Sequence, residues 1–234
     1  MKKIIIANWK CNPDNFKKAK KLFNAVKKDI KGVKNEVVIC PPFVYLTNFQ
    51  FPISNFHLGA QNCHWENNGP YTGEVSPRML KDLGCEYVII GHSERRIHFR
   101  ETNEMINKKL KAALQAGLIL ILCIGEKRGE SPQRVIANQL RKDLKGITKK
   151  DLKKIIIAYE PVWAISTSGG EICSPNYAEK ILKFIKQRFN GKIIYGGSVN
   201  SRIAKSYTDA GFDGLLVGGA SLDANEFIKI VKYV

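Results

Sequence analysis

Eight short apolar runs alternating with amphipathic segments predict an α/β chain folded as a parallel, eight-stranded closed (βα)8 barrel. The runs are rich in Ile, Val and Leu without strict alternation, as strands buried on both faces are. Nearly every run stops abruptly in polar or Gly-rich residues. Reactive groups at the C-terminal ends of many buried strands are how such a barrel assembles one site from distant sequence. The units spread over all 234 residues with no evident linker, low-complexity segment or sequence repeat, so 1–234 reads as a single barrel domain.

The first expected strand, residues 3–7, ends in Asn8-Trp9-Lys10. Its start resembles a secretory leader, but the apolar stretch halts at Asn8, short of the ~7–15 residues such a leader uses. Residues 12–31 follow as a helix, with Phe16, Ala19, Leu22, Phe23, Val26 and Ile30 at helical spacing. Strands are then expected at 36–40, 57–61 and 87–90, the last running into Gly91-His92-Ser93-Glu94-Arg95. Met105, Ile106, Leu110, Ala113 and Leu114 make 102–116 a helix, and 118–124 the next strand. Residues 131–144 repeat the helical pattern through Val135, Ile136, Leu140 and Leu144. Strand 155–159 ends in Glu160-Pro161. Helix 175–189 opens with Ser174-Pro175, an N-cap followed by proline at the first helical position. Strands 192–195 and 214–217 close the set, running into Gly196-Gly197-Ser198 and Gly218-Gly219. Gly32, Gly117 and Gly211 sit near helix ends, where a left-handed cap favours glycine.

Hydrophobic content of 44% and charged content of 25% are those of an ordinary globular chain with ample core. The net charge of +17 is unusual and is compatible with an anionic substrate, nucleic acid or anionic lipid. The lysines are dispersed as short pairs among apolar residues, which reads first as a solvated helix surface. RNA-binding motifs and a basic stripe with interleaved aromatics are not evident, so no specific nucleic-acid partner is expected, although charge alone allows salt-sensitive binding to generic DNA. Six cysteines show no C-x-x-C spacing, and His57, His64, His92 and His98 form no ligand spacing, so no metal is expected. Unpaired cysteines suit a reducing cytoplasm. No run reaches the ~18 apolar residues of a membrane span.

Asn8-Trp9-Lys10, Gly91-His92-Ser93-Glu94-Arg95-Arg96 and Ala158-Tyr159-Glu160-Pro161-Val162-Trp163-Ala164 are closely similar to motifs of the triosephosphate isomerase family. Gly59-Ala60-Gln61-Asn62 with Tyr71-Thr72-Gly73-Glu74, Tyr195-Gly196-Gly197-Ser198-Val199 and Val217-Gly218-Gly219-Ala220 extend the resemblance over the full chain, in order. It implies a TIM barrel that interconverts dihydroxyacetone phosphate and D-glyceraldehyde 3-phosphate, a step of glycolysis and gluconeogenesis, so no cofactor is expected either. Moving a proton between adjacent carbons through an enediolate needs a carboxylate base, an electrophile and a grip on phosphate. The resemblance makes Glu160 the base, His92 a neutral electrophile and Lys10 the fixed positive charge beside Asn8. Glu94 is expected to pair with Lys10. Backbone N–H groups at Ser166, Gly197-Ser198 and Gly218-Gly219 would hold the phosphate, the last two after the late strands where barrels bind it. Another phosphate-gripping barrel enzyme, or a basic barrel repurposed for binding, is the alternative. Neither needs Asn8-Trp9-Lys10, His92 and Glu160 together.

The chain departs from the family after Ile165. Ser166 and Ser168 stand where the family commonly has glycine, and the lid is slightly longer before its helix. A serine keeps the N–H that would meet phosphate, and Gly169-Gly170 are expected to supply a displaced second hinge. The connection Lys127-Arg128-Gly129-Glu130-Ser131 is short, and Glu126 before it is expected to bond Trp163 in one lid state. The intact stretch 64–73 implies a homodimer, with Cys11 near the interface as an apolar filler or, alternatively, a reactive thiol.

Overall fold

The computed structural model describes residues 2–49, 54–165 and 171–234. Strands β1 (Ile4–Asn8), β2 (Glu36–Cys40), β3 (Phe56–Ala60), β4 (Tyr87–Ile90), β5 (Ile119–Ile124), β6 (Ile155–Tyr159), β7 (Ile193–Tyr195) and β8 (Gly214–Val217) pair in chain order as a closed barrel. All neighbours are parallel, and β8 returns to β1 in the register Ile4↔Gly214 to Ala7↔Val217. The eight expected strands are present, each bound within one residue of expectation.

The continuous apolar character of the strands has a two-sided cause. Ile4, Ile6, Val38, Cys40, Ile89, Ile121, Cys123, Ile156, Ala158, Ile194 and Leu216 pack together inside the barrel. Their alternates Ile5, Ala7, Val37, Ile39, Val88 and Ile90 join the helix faces in a second core. Neither face of the strands meets water, so neither selects polar residues.

The helices are α1 (Phe16–Asp29), α2 (Pro77–Asp82), α3 (Ser93–His98), α4 (Asn103–Gln115), α5 (Pro132–Asp143), α6 (Lys149–Leu152), α7 (Pro175–Lys186), α8 (Ala204–Asp209) and α9 (Ala224–Tyr233). The four expected helices are all present but shorter. α1 starts late because the Asn15 side chain accepts from the Lys18 amide and caps it. Ser131 and Ser174 likewise cap α5 and α7, each followed by proline. α2, α3, α6 and α8 span one or two turns, too short for a 3.6-residue pattern to register. Gly32, Gly117 and Gly211 have φ of 80°, 81° and 101°, the left-handed region their positions at helix ends require. Among the described residues no helix is long and apolar enough to cross a membrane.

Arg96 locks α3 against the rim. Its Nε donates to the Gly91 carbonyl at 2.8 Å, Nη1 to Asn103 Oδ1 at 2.6 Å, and Nη2 to the Cys123 carbonyl at 3.1 Å. Nη2 also meets Asp143 Oδ2 at 2.7 Å. One guanidinium thereby joins the ends of β4 and β5 to α4 and α5. Asp143 is fully buried and its Oδ1 has no hydrogen-bond partner. Burial outweighs the Arg96 charge and pushes its carboxyl up from 3.8 to about 6.

Two outcomes follow from this packing. A Cβ at Gly214 would fall 1.9 Å from the Ile4 carbonyl oxygen, across the seam that closes the barrel. Gly214→Ala should cost about 1–3 kcal/mol or more, because backbone atoms must move, and urea unfolding with an unchanged midpoint would refute the close approach. The raised Asp143 carboxyl contributes stability below its unfolded value of 3.8 and loses it as pH climbs through about 6. Wild type should therefore lose on the order of 2–3 kcal/mol relative to Asp143→Asn over that window, and parallel stability–pH curves would contradict the shift.

Candidate active site

At the C-terminal rim, β1 ends on Asn8, which is buried, and its Oδ1 accepts from the Lys10 amide at 3.0 Å. Lys10 has a φ of 54°, a conformation rare for a side-chain-bearing residue. Gln61 Nε2 fixes that bend from the other side, donating to the Lys10 carbonyl at 2.8 Å and the Cys40 carbonyl at 2.9 Å. Strain held this firmly aims a side chain. The Lys10 ammonium lies 2.5 Å from Glu94 Oε1, the pairing expected from the sequence. Its Cε would be 3.3 Å from a Cβ at Gly218, so the bare backbone there gives the lysine its room. Cys11, next in sequence, is exposed.

His92 ends the segment after β4 and caps α3. Its Nδ1 accepts from the Glu94 amide at 3.2 Å. An Nδ1 engaged as acceptor leaves the ring proton on Nε2. That Nε2 is 3.2 Å from Glu160 Oε1.

Glu160 follows β6 and is 1% exposed. Its own amide donates to the Ile124 carbonyl at 2.8 Å, and its Oε2 accepts from the Ser93 amide at 3.0 Å. The carboxylate is thus held beside His92 by the first amide of α3, where the helix terminus favours negative charge. Two glycines make the approach possible. A Cβ at Gly125 would fall 1.7 Å from the Glu160 carbonyl oxygen, and one at Gly196 would fall 3.0 Å from its Cγ. Burial, with the Glu160 carboxylate next to it, holds the Cys123 thiol well above its ordinary value, so the group beside Glu160 stays neutral.

The cleft beside these groups has a volume of about 80 Å³. Asn8, Lys10 and His92 line it together with Gly197, Ser198, Gly218 and Gly219. A short 3-10 turn starts at Gly219, presenting the open amides of a helix start. The Ser198 amide is engaged, donating to the Ala164 carbonyl at 3.0 Å. Ser166, along with Ser168 and the expected hinge at Gly169-Gly170, lies outside the described residues.

Beyond the cleft, Glu126 is buried and its Oε1 collects three donors: Trp163 Nε1 at 3.0 Å, the Tyr159 hydroxyl at 3.1 Å and the Tyr177 hydroxyl at 3.3 Å. The Trp163 contact was expected, but the two tyrosines were not. Burial raises the Glu126 carboxyl despite these donors, and burial followed by the Glu126 charge raises the Tyr159 hydroxyl. Sequence reading assigned no task to Gln61 or Ser93. Ser93 acts through its backbone, which carries no residue signature, and Gln61 was visible only as part of a matched motif.

The expected site residues Asn8, Lys10, His92, Glu160, Ser198, Gly218 and Gly219 therefore gather at one rim, from β1, β4, β6, β7 and β8. Among the described residues no group of three or more His, Cys, Asp or Glu side chains is arranged to hold a metal ion.

A family model described as triosephosphate isomerase matches residues 3–234. The chain is 47% identical to the triosephosphate isomerase of Dictyoglomus thermophilum and 45% identical to that of Dictyoglomus turgidum, covering 99% of both chains in each case. It is 44% identical to the triosephosphate isomerase of Caldanaerobacter subterraneus subsp. tengcongensis over 98% of both chains. A barrel closed in this order, with a family match from its third residue to its last, belongs to the triosephosphate isomerase family.

Proposed function

We propose that this single-domain barrel interconverts dihydroxyacetone phosphate and D-glyceraldehyde 3-phosphate, with Glu160 as base, His92 as electrophile and Lys10 as the fixed positive charge. The observation that carries the reading is that Lys10 and His92 line one cleft with glycine backbone, while Glu160, buried, stands with its Oε1 3.2 Å from His92 Nε2. Glu160 takes a proton from the carbon beside the carbonyl and becomes a carboxylic acid. The electrons move to the carbonyl oxygen, giving an enediolate. The hydroxyl proton on the adjacent oxygen passes to that oxyanion, and the acid returns its proton to the former carbonyl carbon as the new carbonyl forms. His92 suits the electrophile's part because its Nε2 is the N–H of the ring, a donor for the developing oxyanion. Lys10 adds a charge that needs no reorganisation, since Asn8, Gln61 and Glu94 already fix it.

The resting positions define what substrate must do. Glu160 leaves the Ser93 amide to reach a carbon in the cleft. Phosphate takes over the Ser198 amide from the Ala164 carbonyl, which couples its arrival to a shift of the segment after Pro161. Gly218, Gly219 and the Ser166 amide complete the phosphate grip in this reading. We assign the protein to the cytoplasm, which suits six unpaired thiols, five of them buried. We also assign it a homodimeric state, carried by the 64–73 stretch, where His64, Trp65 and Tyr71 cluster with ring centroids 4.3 and 4.7 Å apart.

A coupled assay of glyceraldehyde 3-phosphate isomerisation tests the chemistry. Glu160→Gln should lower kcat by about 10²–10⁴-fold with the fold intact, and a folded wild type without activity would sink the assignment. Light scattering should give about twice the 26.3 kDa chain mass, and a monomer at micromolar concentration would overturn the dimer.

A further inference from the structure

The outer face of α1 carries charge that neither the fold nor the isomerase reading uses. Lys17, Lys20, Lys21, Lys27 and Lys28 fall within about 120° of one another around the helix at ~100° per residue, opposite the buried stripe of Ala19, Leu22, Phe23 and Val26. Lys31, just past the helix end, continues the row. From Lys17 to Lys28 the stripe runs about 16 Å at ~1.5 Å per residue. Lys17, Lys20, Lys21, Lys28 and Lys31 are exposed, and Lys27 is half-buried with its ammonium 5.9 Å from the Phe23 ring centre.

No acid interrupts this row. Asp29 ends the helix on its flank, and among the described residues Lys18, off the stripe, is the one lysine of α1 with a carboxylate partner, Asp14 at 2.9 Å. The first turn holds Lys17 and Lys18 and no acidic residue, the reverse of what a helix N-terminus favours. Like charges at i, i+3 and i, i+4 repel one another along the row. α9, which packs on α1, adds exposed Lys229 and Lys232. The arrangement works against the helix itself, and a bound polyanion would turn each of these repulsions into an attraction.

We infer that the α1 stripe is a docking surface for the phosphodiester backbone of nucleic acid, bound without regard to base sequence. A narrow row of point charges matches a linear polyanion, and lysine contacts phosphate without needing bidentate geometry. A lipid surface fits less well. Interfacial helices bury an apolar face among headgroups, whereas the apolar face of α1 packs on the barrel and Phe16 alone, at one end, is partly exposed. Among the described residues Phe16 is the one exposed ring of α1, too few for successive bases to stack on, so base recognition has no means here.

The test is fluorescence anisotropy of a labelled mixed-sequence DNA duplex of about 24 base pairs, titrated between about 50 and 200 mM salt. With five or six phosphates neutralised, log K should fall against log salt with a slope of about −4.5 to −5.4. Replacing Lys17, Lys20, Lys21, Lys27 and Lys28 by Gln should remove about 4 units of that slope, and Lys20→Gln/Lys21→Gln alone about 2. A control set of equal charge, Lys111, Lys149, Lys150, Lys153 and Lys180 to Gln, should remove less than half as much. Unchanged isomerase turnover in each variant reports an intact barrel, since the stripe lies outside the cleft. Absence of duplex binding, equal loss in the two sets, or tighter binding to phosphatidylserine vesicles than to duplex would each overturn the proposal.

Discussion

Closure of the barrel by β8 on β1 is the constraint on which the other features rest. Eight parallel strands in a ring have all their C-terminal ends on one rim, so the segments after Asn8, Ile90, Tyr159, Tyr195 and Val217 meet there despite lying far apart in sequence. The seam depends on bare backbone, because Gly214 presses on the Ile4 carbonyl. Without that contact the glycine turn after β8 would not lie against Lys10, where the bare backbone of Gly218 leaves the lysine its room.

Around the rim, charges are arranged so that each one has a reason to stay where it is. Lys10 is held by a strained backbone and two amide side chains. Glu160 rests on an amide at the start of α3, beside a thiol that burial keeps neutral. Glu126, another buried carboxyl near the rim, is surrounded by three donors on one oxygen and keeps its second oxygen without a partner. The two carboxyls thus differ in kind. The first rests on one amide beside His92, and the second ties Trp163 to Tyr159 and Tyr177.

Legibility from sequence divides along physical lines. The strands could be read to within a residue because burial on both faces leaves an uninterrupted apolar mark. α1, α4, α5 and α7 were legible because three or more turns show their period, whereas α2, α3, α6 and α8 were too short to do so. α9 carries both signals, Asp223 three residues before Glu226 as a helix start and Phe227, Ile228, Ile230 and Val231 as its apolar face. At the site, side-chain chemistry was visible at Lys10, His92 and Glu160. The Ser93 amide, the Ala164 carbonyl on Ser198 and the Arg96–Asp143 tie were not, since backbone groups look alike in every residue and the last pair is separated by 47 positions.

One consequence concerns His92. The imidazole serves as the N-cap of α3, a task usually given to Ser, Thr, Asp or Asn, and the amide it accepts is the same contact that fixes its tautomer. Architecture and chemistry therefore share one bond. Evolutionary drift at this position meets two filters at once, and a lineage that abandoned isomerisation would still be selected for a capping side chain there. The identity of that replacement, short and oxygen-bearing rather than aromatic, would record which of the two demands had been lifted.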